Sequence, residues 1–191
     1  IFPQVVGAFL ARHPGVSVEI RDMDSIGILE ALTRGRIDIG IAAPAGPVRG
    51  VRAVPLFSDA FGLIMARDHP LATRSAPLRL ADLGAQQVLR NELSDRIEAV
   101  REATGTARMS ALNTLTLTAM VRGGQWVTVL PSTVIQIDPE RLAFRAFEDL
   151  GEHRQVDLLM REDRVEREEV SDFAAMVRAV DWDQRAKRPG A

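Results

Sequence analysis

Two short runs of alternating apolar residues, separated by a helix-length segment, constrain the fold of this chain more than any other feature. Residues 16–20 and 37–41 alternate apolar with other side chains, which is the period of a strand. The apolar members are Val16, Val18, Ile20, Ile37, Ile39 and Ile41. Between the two runs, Asp24 offers a helix N-cap and Gly35 can end the helix. The sequence therefore predicts a βαβ unit with parallel strands and a right-handed crossover.

A further helix is predicted before the first of these strands. Pro3 suits a first helical turn, apolar residues follow at helical spacing, and the segment ends near His13-Pro14-Gly15. In an α/β layer such a helix normally follows a strand of the same sheet. We therefore expect that a first strand precedes Ile1 in a longer protein and is missing from this chain.

Helices and strands alternate along the rest of the chain as well. Strands are predicted over 60–67, 86–90, 126–130 and 156–160, and helices from Ser94 to Gly105, from Asn113-Thr114 to Gly123-Gly124, and around Phe173, Val177 and Val180. This alternation predicts the α/β class. Residues 1–57 and 155–191 are expected to form one lobe and 58–154 the second, with a frayed tail over 185–191.

Composition excludes several classes of protein. The 24 basic and 26 acidic residues leave a net charge of -2, so the chain has no strongly basic surface for direct binding of nucleic acid. No apolar run reaches the roughly 18 residues of a membrane span, and we expect no membrane partner. Cysteine is absent, which removes disulfides, thiolate metal ligands and thiol nucleophiles.

The sequence offers little for catalysis. None of the three histidines, His13, His69 and His153, has another histidine or a cysteine at metal-ligand spacing. Phosphate-binding glycine loops and nucleophile elbows are also absent from the sequence. Acidic pairs around Met23 and Ser94 suit helix N-termini better than acid–base chemistry. We therefore expect neither an enzyme nor a metal or cofactor site.

Polar residues do gather where strands turn into helices. They are Asp24-Ser25, residues 91–94 and Asn113-Thr114. In an open parallel sheet the ligand crevice lies beyond the carboxyl ends of the strands. Helix N-termini at that edge present free N–H groups and a partial positive charge, which suits a small anion such as a carboxylate. The sequence therefore predicts a cleft that binds a small molecule.

Short motifs follow one another in a fixed order over nearly the whole chain. They are Phe2-Pro3 with Phe9, HPGV at 13–16, LEAL at 29–32, GRIDIGI at 35–41, PLFSD at 55–59, RDHPLA at 67–72, LADL at 80–83, MVRGG at 120–124 and VTVLP at 127–131. In this order and spacing they resemble the effector-binding domain of LysR-type transcriptional regulators, a bacterial family.

The resemblance implies two Rossmann-like lobes joined by two crossover strands, as in type II periplasmic binding proteins. It implies a cytoplasmic sensor in which a small effector enters the cleft and shifts the equilibrium between lobe arrangements. The sensor would assemble with itself as a dimer or tetramer. Operator DNA would be a partner only through a winged helix-turn-helix, which lies N-terminal to this domain in the family and is absent here.

Carried over position by position, the resemblance also implies ligand-binding residues. Ser25 matches a polar residue that hydrogen-bonds the effector, and Ala43 matches a rim position at which some relatives carry a charge. The remaining expected ligand-binding residues are Asp24 beside Ser25, Asn91 and Leu93 in the second-lobe loop, Asn113 and Thr114 at a helix start, and Trp126. Trp126 stands where the family usually has a small residue, so its indole either belongs to the core or faces the cleft and stacks on a planar ligand.

Two alternatives stay open on the sequence alone. The first is a periplasmic solute-binding protein of the same fold whose signal peptide has been removed. The second is an enzyme on this fold, such as a dehydratase or a transferase, since a fold does not determine function. Neither the identity of the effector nor the sense of regulation can be read from the residues.

Overall fold

The chain is divided by its contacts into two compact units. A computed structural model describes residues 2–106, 108–163 and 167–182. Among these described residues, unit 1 comprises those within 2–58 and 155–182, and unit 2 comprises those within 59–154. The tail over 185–191, which was expected to fray, lies outside the described residues. The main chain enters unit 2 within one long strand and leaves it within another.

Helices and strands alternate along the described residues, which confirms the α/β class. The helices are α1 (Phe2–Arg12), α2 (Ser25–Thr33), α3 (Pro70–Thr73), α4 (Glu92–Asp95), α5 (Glu98–Thr104), α6 (Thr114–Val121) and α7 (Glu168–Arg178). The strands are β1 (Gly40–Ala42), β2 (Val51–Ala66), β3 (Thr128–Pro131), β4 (Leu142–Ala146) and β5 (His153–Arg161). Short 3-10 helices lie at Leu80–Ala85 and Ser132–Ile137.

In unit 1 a small sheet is covered by helices on both faces. β1 runs antiparallel to β5, with Gly40 opposite Leu159. Because successive strand residues point to opposite faces, Leu159 packs with Leu32 of α2, whereas Leu158 packs with Val177 of α7. Val5 of α1 joins the α7 side. Helix α2 therefore covers one face, and α1 and α7 cover the other.

The first predicted strand does not form. Residues 16–20 are extended without a ladder partner among the described residues, and Ile20 is 67% exposed. The second strand is β1, which begins at Gly40 rather than at Ile37 and pairs antiparallel with β5. The prediction of a parallel βαβ unit is therefore wrong for the described residues. The physical reason is that an alternating pattern needs a neighbouring strand before its backbone can pair.

Unit 2 is built around the second half of β2. That strand lies between β3 and β4, and both pairings are antiparallel, with Val129 and Arg145 opposite Leu63. Leu63 belongs to an apolar cluster on one face of the strand, and the next residue, Ile64, belongs to a cluster on the other face. We call these the Leu63 core and the Ile64 core. The sequence predicted β2 only over 60–67 and did not predict β4.

Helix ends that depend on local chemistry are predicted correctly. The Asp24 side chain accepts a hydrogen bond from the Gly27 N–H at 2.7 Å and caps α2. The Asn113 side chain accepts from the Leu115 N–H at 2.8 Å and caps α6. Beyond the two helix ends, Gly35 and Gly124 adopt positive φ angles of 67° and 78°, a region that favours glycine.

Other local predictions are wrong. The cap of α4 is Asn91 rather than Ser94, and a separate helix α5 follows from Glu98. The strand predicted over 86–90 is present only as isolated parallel bridges. Leu115, expected on the buried side of α6, is 62% exposed. In each case the pattern identifies an apolar or capping residue, but the position of neighbouring elements decides its environment.

An ion pair in unit 2 gives a testable pH dependence. The Arg74 guanidinium donates two hydrogen bonds to the Asp82 carboxylate, at 2.8 and 2.7 Å. These bonds, followed by the Arg79 backbone N–H, lower the pKa of Asp82 from 3.8 to about 2. Because the folded state holds the proton less tightly than the unfolded state, this carboxylate stabilises the fold above pH 3.8. The stabilisation is lost as the pH falls towards 2.

Asp82→Asn should therefore lower the melting temperature at neutral pH and flatten its fall between pH 4 and pH 2. Melting curves recorded across this range, on the variant and the parent, test the expectation. Asp68→Asn, at an exposed turn, is the control and should melt in parallel with the parent. If the melting temperature of Asp82→Asn fell with pH as steeply as that of the parent, the role assigned to the Arg74–Asp82 ion pair would be contradicted.

Candidate functional site

In unit 1 the start of α2 lies against the end of β1. The Ser25 hydroxyl oxygen accepts a hydrogen bond from the Ala43 N–H at 3.3 Å, so the structure brings these two expected site residues together. Asp24 is exposed next to them and its carboxylate is engaged as the α2 cap. Among the described residues, no backbone hydrogen bond is formed by the N–H groups of Ser25 and Ile26. The first turn of α2 thus keeps two amide donors for a ligand.

A buried carboxylate lies on the same side of this small sheet. Asp157 stands opposite Ala42 in the pairing of β1 with β5, and it is only 8% exposed. Its Oδ1 atom has no hydrogen-bond partner among the described residues. Because Asp157 and Leu159 point to the same face of β5, the carboxylate lies on the face that α2 covers. The sequence analysis missed this residue, although an acid inside the apolar run 156–160 was a usable signal.

In unit 2, Asn91 holds α4 against β3. Its side-chain oxygen accepts from the Ser94 N–H at 3.0 Å, and its amide nitrogen donates to Thr128 Oγ1 at 3.1 Å and to the Val129 carbonyl at 3.0 Å. The residue is buried, so its amide is occupied by the fold. Leu93, the second expected site residue of this loop, is half-buried and packs against both the Leu63 core and the Ile64 core.

The other expected residues of unit 2 lie at the start of α6 and before β3. Asn113 is exposed and caps α6 with its side-chain oxygen. Thr114 is half-buried, and its hydroxyl makes no hydrogen bond to another described residue. Trp126 is half-buried and packs against the Ile64 core, which also contains Leu117 of α6. The Ile64 core therefore links the three elements that carry Leu93, Thr114 and Trp126.

A charged cluster occupies the point where the chain enters and leaves unit 2. Asp59 is fully buried, and its carboxylate accepts from the Ser132 hydroxyl at 2.7 Å and the Thr133 hydroxyl at 2.6 Å. Arg154 donates to the same carboxylate at 3.1 Å. Asp59 lies on β2 and Arg154 on β5. This ion pair therefore links the two strands at the points where the chain enters and leaves unit 2. The sequence analysis did not single out either residue.

No set of three or more His, Cys, Asp or Glu side chains within the described ranges is arranged to hold a metal ion. Among the helices that the structure describes, none has the length and apolar character needed to cross a bilayer.

Comparison with known proteins identifies the family. The model of the LysR substrate binding domain matches residues 1–182. The chain belongs to this family. A probable hydrogen peroxide-inducible genes activator of Streptomyces viridosporus is 29% identical over 188 residues, which cover 93% of this chain and 60% of the relative. OxyR of Escherichia coli, a DNA-binding transcriptional dual regulator, is 27% identical over 150 residues, which cover 74% of this chain and 48% of the relative.

Solved structures of LysR effector-binding domains confirm the fold of this chain. That fold resembles the fold of type II periplasmic binding proteins. The regulatory domain of Synechocystis CcmR in complex with 2-PG superposes with a TM-score of 0.79 at 16% identity, covering 93% of this chain and 89% of that one. A cysteine-to-serine mutant of Corynebacterium glutamicum OxyR with H2O2 bound gives a TM-score of 0.70 at 25% identity, covering 96% and 60%. The LysR domain spans 60% of the Streptomyces relative. The matches to transcriptional regulators support the regulator family over the alternative of a periplasmic solute-binding protein.

Proposed function

We propose that this LysR domain is the effector-binding part of a cytoplasmic bacterial transcriptional regulator and has no enzymatic activity. The family match over residues 1–182 carries the proposal. The net charge of -2 is consistent with DNA contact through a separate winged helix-turn-helix, which the longer relatives have room for. Self-association into a dimer or tetramer would then pass the effector signal to that domain.

The proposed effector-binding groups are donors at helix starts. In unit 1 they are the Ser25 hydroxyl and the first-turn amides of α2, with Ala43 at the rim and Asp24 as the cap. In unit 2 they are the Thr114 hydroxyl beside the cap Asn113, with Leu93 and Trp126 as apolar surface and Asn91 holding the loop. Hydroxyl and amide donors at helix N-termini favour a small molecule that carries a carboxylate or another acceptor group.

Effector sensing is proposed to be reversible binding rather than thiol oxidation. The 191 residues contain no cysteine, so no thiol within them can react with an oxidant. Hydrogen peroxide itself is the second candidate effector, because it is bound in a structural relative whose cysteine has been replaced by serine. Titration with peroxide and with small carboxylates, followed by mass spectrometry for covalent change, separates the two candidates.

Alanine variants test the binding groups. A small carboxylate present at about 100 times its Kd should add about 2.7 kcal/mol to the free energy of unfolding, which raises the melting temperature by several degrees. Ser25→Ala and Thr114→Ala should each weaken binding by about fivefold to tenfold, because each removes a hydrogen bond worth about 1 kcal/mol. Isothermal titration of each variant measures the loss.

Thr116→Ala is the matched control, since Thr116 is exposed two residues along the same helix. It should bind as the parent does. Full binding by both Ser25→Ala and Thr114→Ala would show that the site is assigned to the wrong residues.

The sequence of the encoding DNA upstream of Ile1 tests the regulator itself. A basic helix-turn-helix there supports the proposal, and operator binding by the longer protein should then change when effector is added. A secretory signal peptide at that place would overturn it in favour of a periplasmic solute-binding protein.

A further inference from the structure

In unit 1 the direction of α2 can be followed along β1. The first turn of the helix lies just past the end of the strand, where the Ser25 hydroxyl accepts a hydrogen bond from the Ala43 N–H at 3.3 Å. One turn later Ile28 lies over the start of the strand, because a Cβ atom added at Gly40 would be 2.6 Å from the Ile28 Cγ2 atom. Helix α2 therefore begins above residues 42–43 and runs back towards Gly40.

The register of β1 with β5 places a carboxylate under that first turn. Ala42 stands opposite Asp157, and Gly40 stands opposite Leu159. Neighbouring strands are about 4.8 Å apart, and Asp157 points to the face that α2 covers, as Leu159 does. The Asp157 carboxylate and the Ser25 hydroxyl are therefore close enough for one small molecule to contact both.

This carboxylate has no ion-pair partner in the described part of the chain. Asp157 is 8% exposed, and its Oδ1 atom is buried without a hydrogen-bond donor there. The two arginines of the same strand are occupied elsewhere, Arg154 with Asp59 and Arg161 with Asp163. Burial of a carboxylate oxygen that receives no hydrogen bond is strongly unfavourable. The unfilled acceptor therefore points to a ligand that brings a positively charged donor.

A ligand that approaches this point from solvent meets donors before it meets the carboxylate. Ser25 and Ala43 are half-buried and Ile26 is exposed, whereas Asp157 is buried. The Ser25 hydroxyl and the free amides of the first turn favour an anionic acceptor group. A metal ion would need further ligands, and no three His, Cys, Asp or Glu side chains in the described ranges are arranged to supply them. The two sets of groups together therefore suit an organic ligand that carries charges of both signs.

We propose that Asp157 binds a protonated nitrogen of the effector, and that the effector is a small zwitterion of the amino-acid type. Its carboxylate lies against the first-turn amides of α2, and its ammonium group donates to Oδ1 of Asp157. This inference rests on the proposed function, because it takes the start of α2 as the place where the effector binds. It goes beyond that function, because a carboxylate alone leaves Asp157 without a partner.

A panel of matched probes tests the charge requirement. Each natural amino acid is compared by isothermal titration with the acid that lacks its amino group and with the amine that lacks its carboxylate, as alanine is with propionate and ethylamine. At least one amino acid should bind about tenfold to hundredfold more tightly than both of its counterparts, the factor expected for one charged hydrogen bond. If no amino acid binds, the inference is wrong. Acids that bind as tightly as amino acids, and that lose affinity in Ser25→Ala, would overturn the inference and leave the proposed function intact.

Asp157→Asn is the decisive variant, because it keeps the size of the side chain and removes its charge. Amino-acid binding should weaken by about tenfold to hundredfold, whereas binding of the matched acid should not change. Without ligand, the variant should melt at the same temperature as the parent or above it, because an unpaired buried charge has been removed. A lower melting temperature together with amino-acid binding equal to that of the parent would show that the carboxylate is structural, with water as its partner, and would refute the inference.

Glu30→Gln is the matched control. It removes a carboxylate from the exposed side of the same helix, where Glu30 pairs with Arg34 at 3.7 Å. Amino-acid binding should therefore stay at the level of the parent. Equal losses of affinity in Glu30→Gln and Asp157→Asn would show that the net charge of the chain, rather than Asp157, sets the preference for an ammonium group, and would count against the inference.

Discussion

Replacing Asp59 with alanine should destabilise unit 2 by about 2–4 kcal/mol, because it removes a fully buried carboxylate and leaves several hydrogen-bond donors without their charged acceptor. The carboxylate is fully buried, and its bonds from Ser132, Thr133 and Arg154 measure 2.6 to 3.1 Å. Alanine would leave the Arg154 guanidinium without its only charged partner among the described residues. At this chain length each kcal/mol corresponds to about 2–4 °C in melting temperature, so the loss is large.

The two tryptophans allow the effect to be located. Trp126 reports on unit 2, and Trp182, stacked on Phe57 at 5.1 Å, reports on unit 1. Urea unfolding followed by fluorescence in a Trp182→Phe background measures unit 2 alone. Glu148→Gln is the control, because it removes an exposed ion pair with Arg79 and should cost at most about 1 kcal/mol. Equal losses of stability in Asp59→Ala and Glu148→Gln would refute the role given to the buried Asp59 carboxylate.

Gly62→Ala should destabilise unit 2 by at least about 3 kcal/mol, at the upper end of the cost of overpacking. A Cβ atom at Gly62 would lie 2.5 Å from the Arg145 carbonyl oxygen and 2.5 Å from the Phe144 ring. The carbonyl belongs to β4, whose ladder with β2 places Ala146 opposite Gly62. Relief of the clash therefore requires displacement of a paired strand rather than rotation of a side chain.

Gly84→Ala is the matched control for this substitution. Gly84 lies in the Leu80–Ala85 helix of the same unit, and an added Cβ would meet no atom within 4 Å. The change should be neutral or stabilising by up to about 1 kcal/mol, because alanine reduces the entropy of the unfolded chain. Urea midpoints of the two variants measure the difference. A Gly62→Ala protein as stable as Gly84→Ala would show that β4 moves freely.

Sequence patterns predicted the parts of this fold that depend on neighbouring residues. The caps at Asp24 and Asn113 and the glycine after α2 were foreseeable because a side chain or a missing Cβ acts within one turn of its own position. The strand at 156–160 was foreseeable because its apolar run is long and continuous. The family resemblance supplied the fold class, which periodicity alone leaves open between several α/β arrangements.

The remainder depended on partners that are distant in sequence. Residues 16–20 carry a clear strand pattern, yet they have no ladder partner among the described residues. β4 was missed because its five residues carry no clear alternation, and only its position beside β2 makes them a strand. Leu115 has the spacing of a core residue, but nothing in its own sequence indicates that no element covers it.

Candidate site residues were foreseeable to a different extent. Ser25 and Thr114 followed from helix starts together with the resemblance. Among the described residues, the Ser25 hydroxyl accepts a hydrogen bond from Ala43 but donates none. The Thr114 hydroxyl makes no hydrogen bond to another described residue. Asn91 was selected on the same grounds, but its amide is taken up by Thr128 and Val129. Asp157 was not selected, because its burial depends on α2, which begins 132 residues earlier in the chain at Ser25.

The order of the two units along the chain has a consequence for synthesis on the ribosome. Among the described residues, unit 2 is contiguous in sequence over 59–154, whereas unit 1 combines residues from 2–58 with residues from 155–182. Since β1 pairs only with β5 among the described strands, the first 58 residues lack their sheet partner until β5 has been translated. Domains fold as they emerge from the ribosome, so unit 2 should fold first although the first segment of unit 1 is translated before it. During that interval residues 2–58 are the part of this domain that chaperones would bind.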